Sequence, residues 1–425
     1  MQEKQYLNAL TDYLQESPTS FHAVARAKQL LQENNFVRLH EDTSWSDLDK
    51  GKYVVTRNDS SLIAFCWHPE NEKKFNMAGA HTDSPCLKIK PNPEIDQYNC
   101  LQLGVEVYGG ALLHPWFDRE LTIAGQVCFL DKTKGLQKAL IHFKNPVAII
   151  PSLAIHLDHE ANKGREINKQ KHLVPLIGLS NDFTKGFQVR VLEQLNKEHP
   201  QMSAAEIVDF ELFMCDATRP CLTGFSGELL TASRLDNLLS CYACIQGIVD
   251  ADITHNALII LNDHEEVGSV STSGAQGSFL HDVLTRLLDN EEHKQRVLHN
   301  SFFISADNAH AVHPNFSDKH DPQHMPVLGG GIVIKFNANQ RYATSATTAA
   351  QFRQLCSCSQ VAVQNFVMRS DMACGSTIGP TTAASLGVNT VDVGIPTLAM
   401  HSIRETAACN DCWSLYLVLK TFFAS

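Results

Sequence analysis

No apolar run in this 425-residue chain approaches the roughly 18 residues that a membrane-spanning helix requires, which excludes an integral helical membrane protein. A basic surplus is missing too. The 35 Lys+Arg against 46 Asp+Glu leave a net charge of −11, which disfavours nucleic acid and anionic membranes as partners while allowing one basic pocket. The opening residues, MQEKQYLNALTDYLQESP, carry Glu3, Asp12 and Glu16 and lack the apolar core of a signal peptide, so a cytoplasmic protein is expected. Repeats and low-complexity segments are absent. Cysteine is present but shows no disulfide pattern: the thirteen residues are odd in number, and Cys241, Cys244 and Cys374 sit in apolar surroundings. Reduced core thiols are therefore expected. Cys409-x-x-Cys412 has no second pair, and Cys356-x-Cys358 is a weaker metal or redox signal still.

What remains is the composition of a soluble globular protein, 44% hydrophobic and 19% charged, in a chain long enough for two domains. Leu7, Leu10, Tyr13 and Leu14 fall at helical spacing, and Thr19 or Ser20 can cap a second helix through AVARAKQLLQEN. Short strands follow in YVVT and SLIAFCW. After Pro85 the texture changes to alternating strand-like segments with scattered histidine and proline. We read residues 89–233 as an inserted β-rich domain, and residues 1–88 and 234–425 as one discontinuous α/β domain. Leu235, Leu238, Leu239, Tyr242, Ile245 and Val249 form a helical stripe behind Asp236, and a further helix is predicted over 279–299.

The chemistry concentrates where apolar segments meet polar residues. LIILNDHEEVGS runs a short buried strand into His264, Glu265 and Glu266; adjacent glutamates in a dry site repel unless a positive charge intervenes. FNMAGAHTDSP delivers His81 and Asp83 in the same way, FFISADNAHAVHP delivers Asp307, His310 and His313, and TLAMHSIRET delivers His401. Asp236 joins them from a helix start. His81, Asp236, Glu266, Asp307 and His401, with Glu265 left over as a proton carrier, match the needs of two divalent ions. Imidazole nitrogen and carboxylate oxygen suit zinc, with cobalt or manganese as alternatives.

AGAHTDSPCLKIKP, SRLDNLLSC, DHEEVGS, SADNAHAVHPN, IKFNANQRYA, TIGP and LAMHSIRE closely resemble the ordered motifs of the aspartyl aminopeptidase family of di-metal exopeptidases. The likeness extends into the insertion through LAIHLDHE and KHLVPLIG. It implies a mixed-sheet, zinc-exopeptidase-like catalytic domain carrying an inserted β-rich oligomerisation domain. It also implies removal of the N-terminal residue of peptides, with Asp or Glu preferred there, or else a neutral and broader preference. On this resemblance His81 and Asp307 hold one metal, Glu266 and His401 the other, and Asp236 bridges them. Glu265 is the general base and Asp83 orients His81. Lys335, Tyr342, His310 and His313 line the substrate pocket, and His156 reaches a neighbouring subunit's site. The family builds dodecamers from dimers. The role of His264 stays open.

Two other classes fit parts of the pattern. Di-metal phosphoesterases also use His and carboxylate clusters, and a metal-loaded scaffold would explain the ligands but not a spare glutamate.

Overall fold

The computed structural model describes residues 1–46, 48–180, 186–288 and 290–425. The chain divides into two compact units, one formed by Met1–Asp83, Pro220–Met400 and Glu405–Ser425, the other by Ser84–Arg219 with His401–Arg404. The sequence reading put the insertion at 89–233. Its last stretch belongs to the first unit, because Leu229–Ala232 pairs along its length with Glu405–Ala408.

The first unit is mixed α/β. Among the described residues its main sheet has nine strands, in the spatial order Val37–Arg38, Gly51–Arg57, Ser61–Trp67, Asn256–Asn262, Phe75–His81, Phe302–Ala306, Asn389–Gly394, Ile332–Phe336 and Val363–Val367. The four central strands, from Asn256–Asn262 to Asn389–Gly394, are parallel. Alternate side chains serve opposite faces of such a strand. Thus Ile259 and Leu261 pack with the helices Glu3–Glu16, Ser20–Glu33, Leu235–Asp250 and Cys409–Ala424, and Leu258 and Ile260 pack with Phe279–Leu287, Glu291–Asn300 and Ile378–Leu386. Covering both faces explains why these strands read as unbroken apolar runs.

The helix predicted over 279–299 is two helices. Asn290 restarts the chain, its side chain accepting from His293 N at 2.9 Å, an N-cap that favours a new helix over continuation. A smaller sheet in this unit joins Cys221–Thr223, Leu229–Ala232, Glu405–Ala408, Pro396–Leu398 and Ala309–His310. The thirteen cysteines are free thiols; Cys409 and Cys412 are buried on the last helix, which the sequence reading did not identify.

The second unit is built on an antiparallel sheet of seven strands among the described residues. Ala204–Asp216 pairs with Cys86–Gln97 at one edge and along its length with Glu120–Asp131, closing the sheet on itself. Its interior holds Leu87, Leu103, Ile123, Val127, Phe129 and Leu212. The helix Phe187–Glu198 covers part of it with Phe187, Val191 and Leu195.

Candidate functional site

Parallel strands with a common register release their ends at one edge, where ligands gather in open α/β sheets. Asn262 is in register with His81, and Ser305 with Gly79, so His81, the turn after Asn262 and Asp307 leave the sheet side by side. Asp236 arrives from the start of the helix Leu235–Asp250. Its N–H donates to Glu405 Oε2 at 3.0 Å, and the neighbouring Asn237 amide donates to Ala306 O at 2.9 Å, which fixes the helix start against the strand end.

His81 is the buried centre. Its Nε2 lies 3.3 Å from Asp236 Oδ1 and 3.7 Å from Asp307 Oδ1. Its Nδ1 lies 3.0 Å from the main-chain oxygen of Asp83 and 3.4 Å from that residue's Oδ1. Ligand atoms of His81, Asp236 and Asp307 all fall within 4.8 Å of one another, and so do those of His81, Glu265 and Glu266.

The Asp83 carboxylate has closer partners than the imidazole. Its two oxygens accept from the N–H groups of Glu265 and Glu266, each at 3.1 Å. This clamp needs a tight turn, and the chain supplies one: His264 and Gly268 adopt positive φ around a short helical turn at Glu265–Val267. His264 Nδ1 reaches Ser271 Oγ at 2.9 Å, so the histidine whose role stood open in the sequence fastens the loop behind the glutamates.

The charges around this edge call for a cation. Loss of hydration pushes Glu265 up to about 7; His81 draws it down, while Asp307, Asp83 and Asp236 raise it. Burial likewise raises Asp263 to about 6, with Asp83 adding to the effect. Burial alone would lower the basicity of His81, but hydrogen bonding to Asp236, Asp307 and Asp83 outweighs it and holds the ring charged well above its usual range. The protein therefore attracts positive charge to this spot, since uncompensated buried carboxylates are costly. One imidazole with several carboxylate oxygens fits zinc. Cys241 is no competing ligand: its thiol donates to His81 O at 2.9 Å, and burial raises its pKa.

Lys335 is buried, at 2% exposure, and not the solvated strand lysine that its sequence context also allowed. Its ammonium donates to Asn308 O at 3.0 Å, lies 3.5 Å from Asp307 Oδ2, and sits 5.2 Å from the Tyr342 ring centre. Tyr342 and His310 both pack against Phe366, at 6.5 Å and 5.6 Å between ring centres. His313 contacts its own loop, packing on Phe316 at 4.9 Å and accepting from Asn315 N at 3.2 Å.

His401 and His156 lie in the second unit. His401 has a positive φ; its Nδ1 is 3.2 Å from Gly110 O, and its carbonyl accepts from Leu112 N at 3.0 Å. His156 is exposed in a turn, flanked by exposed Ile155 and Leu157. Sequence reasoning missed Glu405, Asn237 and Asp263. Only Asp263, next to His264, stood inside a motif already singled out.

A strand-edge centre of this kind, with an imidazole among buried carboxylates, is suited to metal-assisted hydrolysis. The family model for aminopeptidase I zinc metalloproteases (M18) matches residues 13–423. The chain is 49% identical over 421 residues to a probable M18 family aminopeptidase 2 of Pseudomonas savastanoi pv. phaseolicola, covering 98% of each chain. It is 50% identical to the Pseudomonas entomophila protein of the same description, covering 99% of this chain and 98% of that one. Among solved structures, the M18 aminopeptidase of Thermotoga maritima superposes with a TM-score of 0.87 at 26% identity, covering 99% of this chain and 96% of that one. The S. cerevisiae mApe1 dodecamer gives 0.84 at 26% identity, with 99% and 96% covered. The chain belongs to the M18 family of zinc metallo-aminopeptidases.

Proposed function

We propose that this M18 aminopeptidase removes acidic N-terminal residues from peptides with two zinc ions per chain. The observation that carries the proposal is the convergence of His81, Asp236, Asp307, Glu265 and Glu266 on one buried strand edge. His81 and Asp307 would hold one ion, Glu266 and His401 the other, and Asp236 would serve both. When bound, the ions supply acidity to water and polarise a carbonyl oxygen. Glu265 takes the proton from the attacking water, a role for which a carboxyl poised near neutral pH is suited, and returns it to the departing amine. Asp83 keeps Glu265 and Glu266 in place through their N–H groups. His156 would reach the site of a neighbouring subunit, in a dodecamer assembled from dimers through the β-rich unit. A cytoplasmic location is consistent with the reduced thiols.

One observation favours a second reading, a neutral or broad N-terminal preference. The Lys335 ammonium, the cation proposed to meet an acidic side chain, already lies beside Asp307 and the carbonyl of Asn308. Aminoacyl amides assayed on chelated enzyme after adding Zn²⁺, Co²⁺ or Mn²⁺ test both. Restored cleavage of Asp and Glu amides above Leu amides supports the acidic reading. Lys335→Ala should then cut kcat/KM on acidic substrates about tenfold more than on Leu substrates. Equal losses would assign Lys335 to the support of Asp307.

A further inference from the structure

Beneath the loop that follows Glu266, the first unit encloses a cavity of about 250 Å³ that plays no part in the chemistry above. This far exceeds the roughly 10–15 Å³ needed for one water molecule. Asn262 lies at its inner end. Its side chain shares a strand face with Ile260, and both residues line the cavity. Asn262 is 1% exposed, and neither Nδ2 nor Oδ1 has a hydrogen-bond partner among the described residues. A buried amide left in that state costs on the order of 1–3 kcal/mol unless something answers it.

The remaining walls favour negative charge. The nine-residue helix Phe279–Leu287 starts at the cavity, with Ser278, Leu280 and His281 among the lining residues. A helix start presents N–H groups and a partial positive charge. Thr382 and Ser385 face it from the helix Ile378–Leu386. The nearby Asp282 carboxylate is engaged by Arg57 Nη2 at 2.9 Å and by Ser278 Oγ at 2.6 Å, and Arg57 Nη1 donates to Ser278 Oγ at 3.2 Å.

We propose that this cavity binds hydrogen phosphate, with the Asn262 amide and the start of helix Phe279–Leu287 as its principal contacts. Phosphate matches the amide better than sulfate does. At neutral pH it keeps a P–OH that donates to Asn262 Oδ1, while an unprotonated oxygen accepts from Nδ2; sulfate has no proton to give. Binding here also reaches the active edge. Gln276, on the cavity wall, donates from Nε2 to Gly268 O at 2.9 Å and from N to Ser269 O at 3.2 Å; Ser269 N in turn donates to His264 O at 2.7 Å. Occupancy would steady the loop that carries Glu265 and Glu266.

The test is the thermal midpoint of the zinc-loaded enzyme titrated with inorganic phosphate, and with sulfate at equal ionic strength. Phosphate should raise the midpoint by about 2 °C at tenfold excess over its Kd, and sulfate by less than half of that. Asn262→Leu should abolish the difference between the two anions. Ser385→Asp, an exposed change that puts a carboxylate at the rim, should abolish phosphate stabilisation without depending on the folding of a core variant. Phosphate held at the zinc ions instead would give equal shifts in wild type and Ser385→Asp. That result, or no shift in the wild type, overturns the proposal.

Discussion

The two units spend their strands differently. Phe75–His81 and Asn256–Asn262 in the first are buried at every position, between helices on both faces. Ala204–Asp216 in the second mixes buried Ile207 and Leu212 with exposed Asp209 and Glu211. Parallel strands with both faces committed to packing have only their ends left for polar work, and His81, Glu265, Glu266 and Asp307 stand there. An antiparallel sheet with one solvated face keeps a long polar surface, suited to meeting other molecules along its length. The difference locates chemistry at a strand edge in one unit and leaves broad surface in the other.

The strongest way to break this contrast is Glu265→Gln. Turnover should fall roughly 10²- to 10⁴-fold while elemental analysis finds unchanged metal, because only the proton carrier is removed. Normal turnover would take Glu265 out of the reaction. Asp83→Asn should cost about 10- to 100-fold in activity or metal affinity, the usual loss when a group supporting ligands is altered. Its kcat should suffer even at saturating zinc, since Asp83 holds the turn of the general base as well as facing His81. Full recovery with excess zinc would confine its role to the metal.

The control in the second unit is Gly125→Ala. A methyl there would meet Glu211 O at 1.9 Å in the paired strand. Destabilisation of about 1–3 kcal/mol by denaturant unfolding is expected, with little change in turnover for the protein that remains folded. A loss of kcat matching that of Asp83→Asn would erase the distinction between the two regions.

Much of the edge was legible because strand and motif coincide. FNMAGAH, LIILN and FFISA are apolar runs stopping at His81, at the turn before Glu265 and at Asp307, a one-dimensional trace of a three-dimensional edge. The support behind it was not legible. Glu405 takes the N–H of Asp236 across 169 positions, a pairing with no local pattern. The environment of Lys335 was equally hidden: IVIKF reads as a strand whose lysine could face water, and only the packing of Tyr342 and Asp307 places it inside. Local chemistry near Asn290 also beat periodicity, cutting one predicted helix into two. The insertion's end was misplaced because Leu229–Ala232 is a short strand whose partner, Glu405–Ala408, comes far later in the chain.

The central claim is that distant side chains close around two cations through one shared carboxylate, Asp236. Zinc counted per chain after equilibrium dialysis tests it most directly. Two ions in the wild type, with both lost together in Asp236→Ala at the same free zinc, are predicted; full occupancy in the variant would contradict the account.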